Sequence, residues 1–187
     1  MNIILFGPPG AGKGTQAKYL VNKLNNFHIS TGDILRKEIK NNSEIGRIIE
    51  SDMNNGKFVS DAIVNQLIKN LISDSDKRNK IVFDGYPRSL IQAKNLDQLL
   101  QSSNQRIDFV FFLNVNKETI INRIEKRKVV EGRSDDELNI ILNRYDTYME
   151  TTRPVLDFYS KNPNFYEIDG TLEIQQITNK IDTFINV

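Results

Sequence analysis

The sequence predicts an α/β fold built on a five-stranded parallel sheet with helices on both faces. Two observations support this prediction. Apolar runs typical of buried strands occur five times, at 3–6, 27–30, 81–83, 108–115 and 165–168. Segments whose apolar residues repeat at helical spacing separate these runs. Strands and helices that alternate in this way form parallel sheets, because each helix returns the chain to start the next strand in the same direction.

The first strand, residues 3–6, leads into a glycine-rich turn that ends in Lys13, and a helix follows. Gly7, Gly10 and Gly12 permit backbone conformations that other residues avoid, and they let the chain approach an anion closely. The amides of the turn and the positive end of the helix can surround phosphate oxygens, and Lys13 adds a positive charge. The sequence therefore predicts a phosphate-binding loop.

This loop departs from the general pattern in one respect. The pattern has Ser or Thr directly after the lysine, whereas Gly14 follows Lys13 here and Thr15 comes one place later. The alternative is a glycine-rich turn that only joins the strand to the helix. The lysine, the glycine spacing and the strand–helix setting favour the phosphate-binding loop.

Short helices without a clear strand occupy residues 31–59. Thr31-Gly32-Asp33 can begin one helix and Ser43 another, which Asn54-Asn55-Gly56 would end. We therefore expect a small helical lobe inserted into the α/β core. Ser60-Asp61 then begins a helix that leads through a polar connection to the third strand.

The second half of the chain continues the alternation. A helix from Ser89 to about Leu100 follows the third strand, and one from Lys117 to Arg127 follows the fourth. Residues 129–134 should form a short charged loop before a long helix that Arg153-Pro154 bends or divides. The closing helix is expected over 172–185.

Parallel sheets of this kind bind ligands at the carboxyl ends of their strands. Four segments rich in turn residues follow strands there, at 7–13, 31–33, 84–85 and 169–170. We therefore expect one ligand site along this edge.

Composition excludes several classes of protein. The 25 Lys and Arg nearly balance the 24 Asp and Glu, so no overall field attracts nucleic acid or a membrane surface. The absence of cysteine excludes a disulfide framework and a thiolate metal site. The longest apolar run, 109–113, is too short to cross a membrane, and no basic segment precedes the first run. We expect a cytoplasmic protein.

Asp84 ends the third strand, which we expect to lie beside the strand of the phosphate-binding loop. A carboxylate at that position can hold Mg²⁺ through the water molecules of the ion. The alternative is a turn-forming aspartate before Gly85.

Arginine suits phosphate binding because its guanidinium group grips two phosphate oxygens at once. Arg88 follows Pro87, which stiffens its backbone, and Arg36 lies on the helix after Thr31. Four further arginines surround the charged loop and could close over a polyphosphate: Arg123, Arg127, Arg133 and Arg144. Alternatively, these six arginines are solvated surface residues, and four nearby acids could pair with the last four: Glu125, Glu131, Asp135 and Asp136.

His28 is the only histidine, and its place in a short strand indicates a structural residue with satisfied hydrogen bonds. No cluster has metal-ligand spacing, and one such histidine does not support a Ser-His-Asp triad.

Taken together, these segments resemble the adenylate kinases, a family of nucleoside monophosphate kinases, over nearly the whole chain. The matching blocks are GPPGAGKGTQ at 7–16, STGDILR at 30–36, GKFV at 56–59, FDGYPRSLIQA at 83–93, RIEKR at 123–127, GRSDD at 132–136, NRY at 143–145 and DGT at 169–171. The resemblance implies the three-layer fold of the P-loop nucleoside-triphosphate hydrolases. It implies one domain over 1–187, with a core (1–29, 60–127 and 137–187), an NMP-binding lobe (30–59) and a short lid (128–136).

The resemblance implies reversible, Mg²⁺-dependent transfer of the γ-phosphoryl group of ATP to AMP, which gives two ADP. The residues implied to bind ATP are Gly10, Ala11, Gly12, Lys13, Gly14, Thr15, Arg123, Arg127 and Leu172. The residues implied to bind AMP are Thr31, Arg36, Lys57, Phe58, Val59, Gly85, Tyr86, Pro87, Arg88, Gln92, Arg133 and Arg144. Of these, Thr31 and Gln92 would address the base, and Arg36 and Arg88 the phosphate.

The residues implied to act in catalysis are Lys13, Arg88, Arg123, Arg127, Arg133 and Arg144. Asp135 and Asp136 would latch the lid arginines, and Asp84 would hold Mg²⁺ through water. The implied partners are ATP, AMP and ADP, without nucleic acid or membrane, and a monomer is expected.

The lid departs from that of longer members of the family. Only five residues separate Arg127 from Arg133, where long-lid members insert a subdomain that can bind zinc through cysteines. This chain has no cysteine, so no zinc is expected.

Two alternatives remain at this stage. The UMP/CMP kinases share the short lid, but Thr31 and Gln92 favour adenine. A switch protein that binds ATP without transferring phosphate should lack the arginines, and all six are present.

Overall fold

The computed structural model describes residues 1–131 and 136–185. Its centre is a five-stranded parallel sheet with the strand order β2-β3-β1-β4-β5. The strands are β1 (Ile3–Phe6), β2 (Phe27–Ser30), β3 (Ile81–Asp84), β4 (Phe109–Asn114) and β5 (Phe165–Asp169). All five predicted strands are present, and β3 lies beside β1 as expected from the position of Asp84.

Helices connect the strands in chain order. They are α1 (Lys13–Leu24), α2 (Thr31–Lys40), α3 (Glu44–Asn54), α4 (Asp61–Ile72), α5 (Leu90–Ser102), α6 (Lys117–Glu131), α7 (Leu138–Thr147), α8 (Arg153–Tyr159) and α9 (Ile174–Ile185). A 3₁₀ turn spans Ser75–Lys77, and a π-helical turn, Tyr148–Thr152, joins α7 to α8.

Two apolar cores, one on each face of the sheet, make the three layers. Successive residues of β1 alternate between them: Ile4 and Phe6 belong to the core with α4, α5 and α8, and Ile3 and Leu5 to the core with α1, α6 and α9. All four side chains are almost completely buried. This burial on both faces explains why β1 is continuously apolar, and it confirms the predicted fold class.

Residues 31–59, all of them described, contain α2 and α3 and no strand, as expected. The two helices pack closely at Gly46, where an added Cβ would clash with the Glu38 carbonyl oxygen. Ser43 caps α3, because its hydroxyl accepts a hydrogen bond from the Gly46 amide at 2.9 Å. The movement of this lobe as a unit stays a prediction.

The helices around the expected lid loop differ from the prediction. Helix α6 continues to Glu131, so Val129 and Val130, which we expected in a loop, are helical and more than 80% exposed. No glycine or proline occurs between Lys117 and Glu131, so nothing local stops the helix earlier. Their exposure explains why helical periodicity did not reveal this last turn.

The predicted long helix after the loop is divided before Pro154. The π-helical turn ends α7, and Arg153 begins α8 with Pro154 in its first turn. Proline lacks the amide hydrogen that would continue an α-helix, which explains the break.

Within the described residues, no helix is both long enough and apolar enough to span a membrane.

Candidate active site

A cavity of about 570 Å³ opens at the carboxyl ends of the strands. The predicted site residues that line it are Gly10, Ala11, Gly12, Lys13, Gly14, Thr15, Arg36, Lys57, Phe58, Asp84, Gly85, Arg88, Arg123, Arg127, Arg144 and Leu172. Residues up to 162 positions apart in sequence therefore share one site, since parallel strands bring their carboxyl ends to the same edge.

The loop after β1 has the backbone geometry of an anion-binding turn. Gly10 has a φ of +79°, and an added Cβ would lie 2.9 Å from Cγ1 of Ile124 on α6. Gly12 caps α1 in the left-handed conformation, with no side chain over the helix terminus. The amino end of α1, with its positive partial charge, therefore faces the cavity without a side chain from the cap residue.

Lys13, the first residue of α1, lies inside this turn. Its ammonium group donates hydrogen bonds to the carbonyl oxygens of Gly7 at 2.8 Å and Pro8 at 2.9 Å. Burial lowers the pKa of Lys13 from 10.5 to about 8; the Asp84 carboxylate opposes this shift, and nearby arginines add to it. Burial therefore destabilises the protonated form of Lys13, and an anion in the cavity would stabilise it.

Asp84 lies at the end of β3, opposite Leu5 of β1. Its side chain is 13% exposed, and a Cβ added to Gly14 would lie 3.5 Å from its Oδ2. The carboxylate thus faces the start of α1. His28 Nε2 lies 3.4 Å from the same oxygen without hydrogen-bond geometry, and the structural role expected for this histidine stays a prediction.

A hydrated Mg²⁺ fits this arrangement. Mg²⁺ usually keeps several water molecules and binds one or two carboxylates together with the substrate phosphates, so a single carboxylate beside a phosphate loop suits it. Among residues 1–131 and 136–185, no group of three His, Cys, Asp or Glu side chains could enclose a metal ion by itself.

Arg88 is fixed in orientation by contacts on several sides. Its Nε donates to the Gly85 carbonyl oxygen at 2.7 Å, and its Nη2 to Thr31 Oγ1 at 3.3 Å. The guanidinium carbon lies 5.1 Å from the centre of the Phe58 ring, and the Thr152 hydroxyl donates to the Arg88 carbonyl at 2.9 Å. Such contacts pre-organise the guanidinium group toward the cavity.

Gly85 makes this arrangement possible. Its φ of +72° lies in the left-handed region, and an added Cβ would lie 2.8 Å from Nη2 of Arg88. A side chain at this position would displace the guanidinium group.

Arg36 lines the same cavity from α2. Its Nη2 lies 2.5 Å from Asp33 Oδ1, one helical turn away. If Arg36 binds a phosphate as predicted, the phosphate would take the place of the Asp33 carboxylate beside the guanidinium group.

Two arginines that flank the expected lid share one carboxylate. Asp136 accepts hydrogen bonds from Arg127 at 2.8 and 2.5 Å, and its Oδ1 lies 3.7 Å from Arg144. The Asp136 side chain is completely buried. Arg133 and Asp135, which we predicted to act with these residues, lie outside the described part of the chain.

Four predicted AMP-binding residues are buried and do not line the main cavity: Thr31, Val59, Tyr86 and Gln92. Pro87 also lies off that cavity and lines a smaller one beside it. Thr31 donates to the Gly85 carbonyl at 2.6 Å. Thr31 thus supports a residue of the cavity wall, and direct contact of these five residues with a ligand stays a prediction.

Gln92 has both ends of its amide occupied. Its Oε1 accepts from the Arg88 amide and its Nε2 donates to Asp61, both at 2.7 Å. Sequence reasoning missed Asp61, which we interpreted only as the start of a helix. The sequence does not distinguish a helix start from a partner of Gln92, because an acidic residue at a helix start is favourable by itself.

The family profile described as Adenylate kinase matches residues 5–164. This chain belongs to the adenylate kinase family. Its similarity to curated adenylate kinases covers essentially whole chains. It is 48% identical to an adenylate kinase of Pelagibacter ubique over 213 residues, with complete coverage of both chains. It is 42% identical to one of Mycoplasma mycoides, with 97% of each chain covered.

The relatives differ in length. The Pelagibacter alignment runs over 213 positions against 187 residues here, so it includes positions where this chain has none. An adenylate kinase of Flavobacterium psychrophilum is 39% identical over 187 residues, with 100% of this chain and 98% of the relative covered. Adenylate kinases similar to this chain therefore occur with and without additional residues.

Proposed function

We propose that the protein transfers the γ-phosphoryl group of ATP to AMP and runs the reaction in reverse from two ADP. The observation that carries this function is that one cavity holds both halves of a phosphoryl-transfer site. The anion-binding turn with Lys13 forms one side, and the fixed Arg88 guanidinium forms the other. Phosphoryl transfer requires this combination, because positioning and charge neutralisation supply most of the catalysis.

We assign separate roles to the residues of the site. The turn from Gly10 to Thr15 binds the donor phosphates, and Lys13 stabilises charge on the transferred group. Arg36 and Arg88 hold the acceptor phosphate, and Arg88 aligns it for direct in-line attack. Asp84 would hold a hydrated Mg²⁺, which would neutralise triphosphate charge when bound. No zinc is expected, since the chain has no cysteine.

The arginines around the lid complete the site. Arg127 and Arg144 exchange Asp136 for phosphate oxygens, and Arg123 and Leu172 contact the donor nucleotide. Arg133 joins them when residues 128–136 close as a lid and 30–59 as an acceptor lobe over the core. Closure excludes water, which would otherwise accept the phosphoryl group. From the family resemblance we further propose that the protein is cytoplasmic and monomeric. Sedimentation can test the monomeric state.

A parallel assay of acceptors tests the function. MgATP with AMP, CMP or UMP should give fast diphosphate formation with AMP only, and ADP alone should return ATP and AMP. Preference for CMP or UMP would support the UMP/CMP kinase alternative. ATP binding without transfer to any acceptor would support a switch protein.

The lowered pKa of Lys13 predicts proton uptake when ATP binds. At pH 8 about half of the Lys13 side chains in the free protein are neutral, because their pKa is about 8. Triphosphate charge raises the pKa of Lys13 again, so Lys13 should take up about half a proton on binding at pH 8 and almost none at pH 6.5.

Calorimetry in two buffers of different ionisation enthalpy measures this uptake. The Lys13→Met variant is the control and should take up none at pH 8. Equal uptake by both proteins would assign the proton to another group and contradict the prediction.

A further inference from the structure

Asp61 holds the side chain of Gln92, and neither residue lines the main cavity. Its Oδ1 accepts from Gln92 Nε2 at 2.7 Å, and the Ser89 hydroxyl lies 3.0 Å from both carboxylate oxygens. Ser89 in turn caps α5 by accepting from the Gln92 backbone amide at 3.1 Å. The first residue of α4 is thus tied to the loop that carries Arg88.

These contacts allow only one orientation of the Gln92 amide. A carboxylate accepts hydrogen bonds and a backbone amide donates one, so Nε2 must face Asp61 and Oε1 must face Arg88. In the reversed orientation, oxygen would face a negative charge and N–H would face N–H. Gln92 is 2% exposed, so water does not replace either contact.

A fixed amide has one remaining N–H and one remaining lone pair. Adenine and cytosine present an amino group beside a ring nitrogen that accepts, which matches such a pair. Guanine and uracil present a carbonyl beside a ring N–H, which has the opposite polarity. A base that leaves buried polar groups of the site unpaired is rejected far more strongly than a base that differs only in size.

We propose that Asp61 is a positioning residue that fixes the polarity of the Gln92 amide and so selects adenine over guanine at the acceptor site. The inference rests on the proposed function, in which Gln92 meets the acceptor base. Asp61 acts through Gln92 and does not touch the nucleotide.

Asp61→Asn tests the proposal, because it keeps the shape but offers Gln92 either a donor or an acceptor. The ratio of kcat/KM for AMP to that for GMP should fall about tenfold, with a higher KM for AMP and an unchanged KM for ATP. A ratio equal to that of the wild type would overturn the proposal, since a purely structural role would slow both acceptors alike.

Two further variants distinguish an effect of the Gln92 amide orientation from an effect of helix stability. Glu44→Gln removes the same charge from the first position of α3, where the side chain is exposed, and should leave the ratio unchanged. Ser89→Ala removes the cap of α5 but keeps the bond between Asp61 and Gln92, so it should also keep the ratio. A tenfold lower ratio in Ser89→Ala would contradict the proposal.

A measurement on the wild-type protein does not depend on the folding of any variant. In the NMR spectrum of the free protein, the Gln92 side-chain NH₂ should be protected from exchange, and AMP but not GMP should shift it. Fast exchange would overturn the proposal. Absence of any ADP from MgATP and AMP in the wild type would instead refute the proposed function.

Discussion

Replacement of Lys13 by methionine should lower kcat/KM for phosphoryl transfer by about 10³-fold while it makes the empty protein more stable. The loss follows from removal of the ammonium group that the anion-binding turn holds by bonds to Gly7 and Pro8. The gain follows from the pKa of Lys13, which burial lowers to about 8. Methionine keeps an apolar stem without a charge to desolvate.

The size of the stability effect depends on pH. Because the folded pKa lies below 10.5, the unfolded chain binds more protons between about pH 8 and pH 10.5. The free energy of unfolding of the wild type should therefore rise with pH across that window, by at most about 3 kcal/mol from this residue. The variant should lack this part of the rise, and its advantage should be largest below pH 8.

Urea unfolding at pH 7 and 9.5, together with the transfer assay, measures both effects. Lys69→Met is the matched control, because Lys69 is exposed on α4. It should change neither activity nor the pH dependence of stability. A Lys13→Met variant that is less stable than the wild type at pH 7 would show that the lost bonds to the turn outweigh the desolvation of the charge.

Replacement of Arg88 by alanine should lower kcat by about 10²- to 10³-fold with little change in folding. Its guanidinium group is held by the Gly85 carbonyl, Thr31 and the face of Phe58, so we expect it to act as a rigid clamp for the acceptor phosphate. Arg88→Lys should recover only part of the activity, because an ammonium group keeps the charge but lacks the planar fork.

Arg106→Ala provides the control, since the Arg106 side chain is 86% exposed near the amino ends of the strands. It should retain full activity. Steady-state kinetics with AMP varied at saturating ATP, and a melting curve for each protein, separate catalysis from stability. Turnover close to normal in Arg88→Ala would refute its role as the clamp.

The sequence predicted those parts of the fold that depend on short-range pattern. The apolar run at Ile3–Phe6 is buried on both faces, and β3 lies beside β1 with Asp84 at its end. Because parallel sheets bind ligands at the carboxyl ends of their strands, the sequence also predicted one site along this edge. Gly10 shows the physical basis, because its positive φ and the contact with Ile124 leave no room for a side chain.

The ends of elements were less predictable where no local residue decides them. Helix α6 runs to Glu131 through two exposed valines that give no helical period. The division at Pro154 followed from local chemistry, whereas the sequence pattern did not indicate the π-helical turn before it.

The sequence by itself determined the fold class, the anion-binding turn and the set of arginines, because strand burial, glycine conformations and guanidinium chemistry are properties of single residues and near neighbours. Only the tertiary structure decided which groups meet. Asp61 and Gln92 lie 31 positions apart, and Arg88 and Thr31 57 apart. Each of these residues also suits a helix start or a solvated surface. Their roles depend on the direction of a hydrogen bond between distant elements, and no local pattern records that direction.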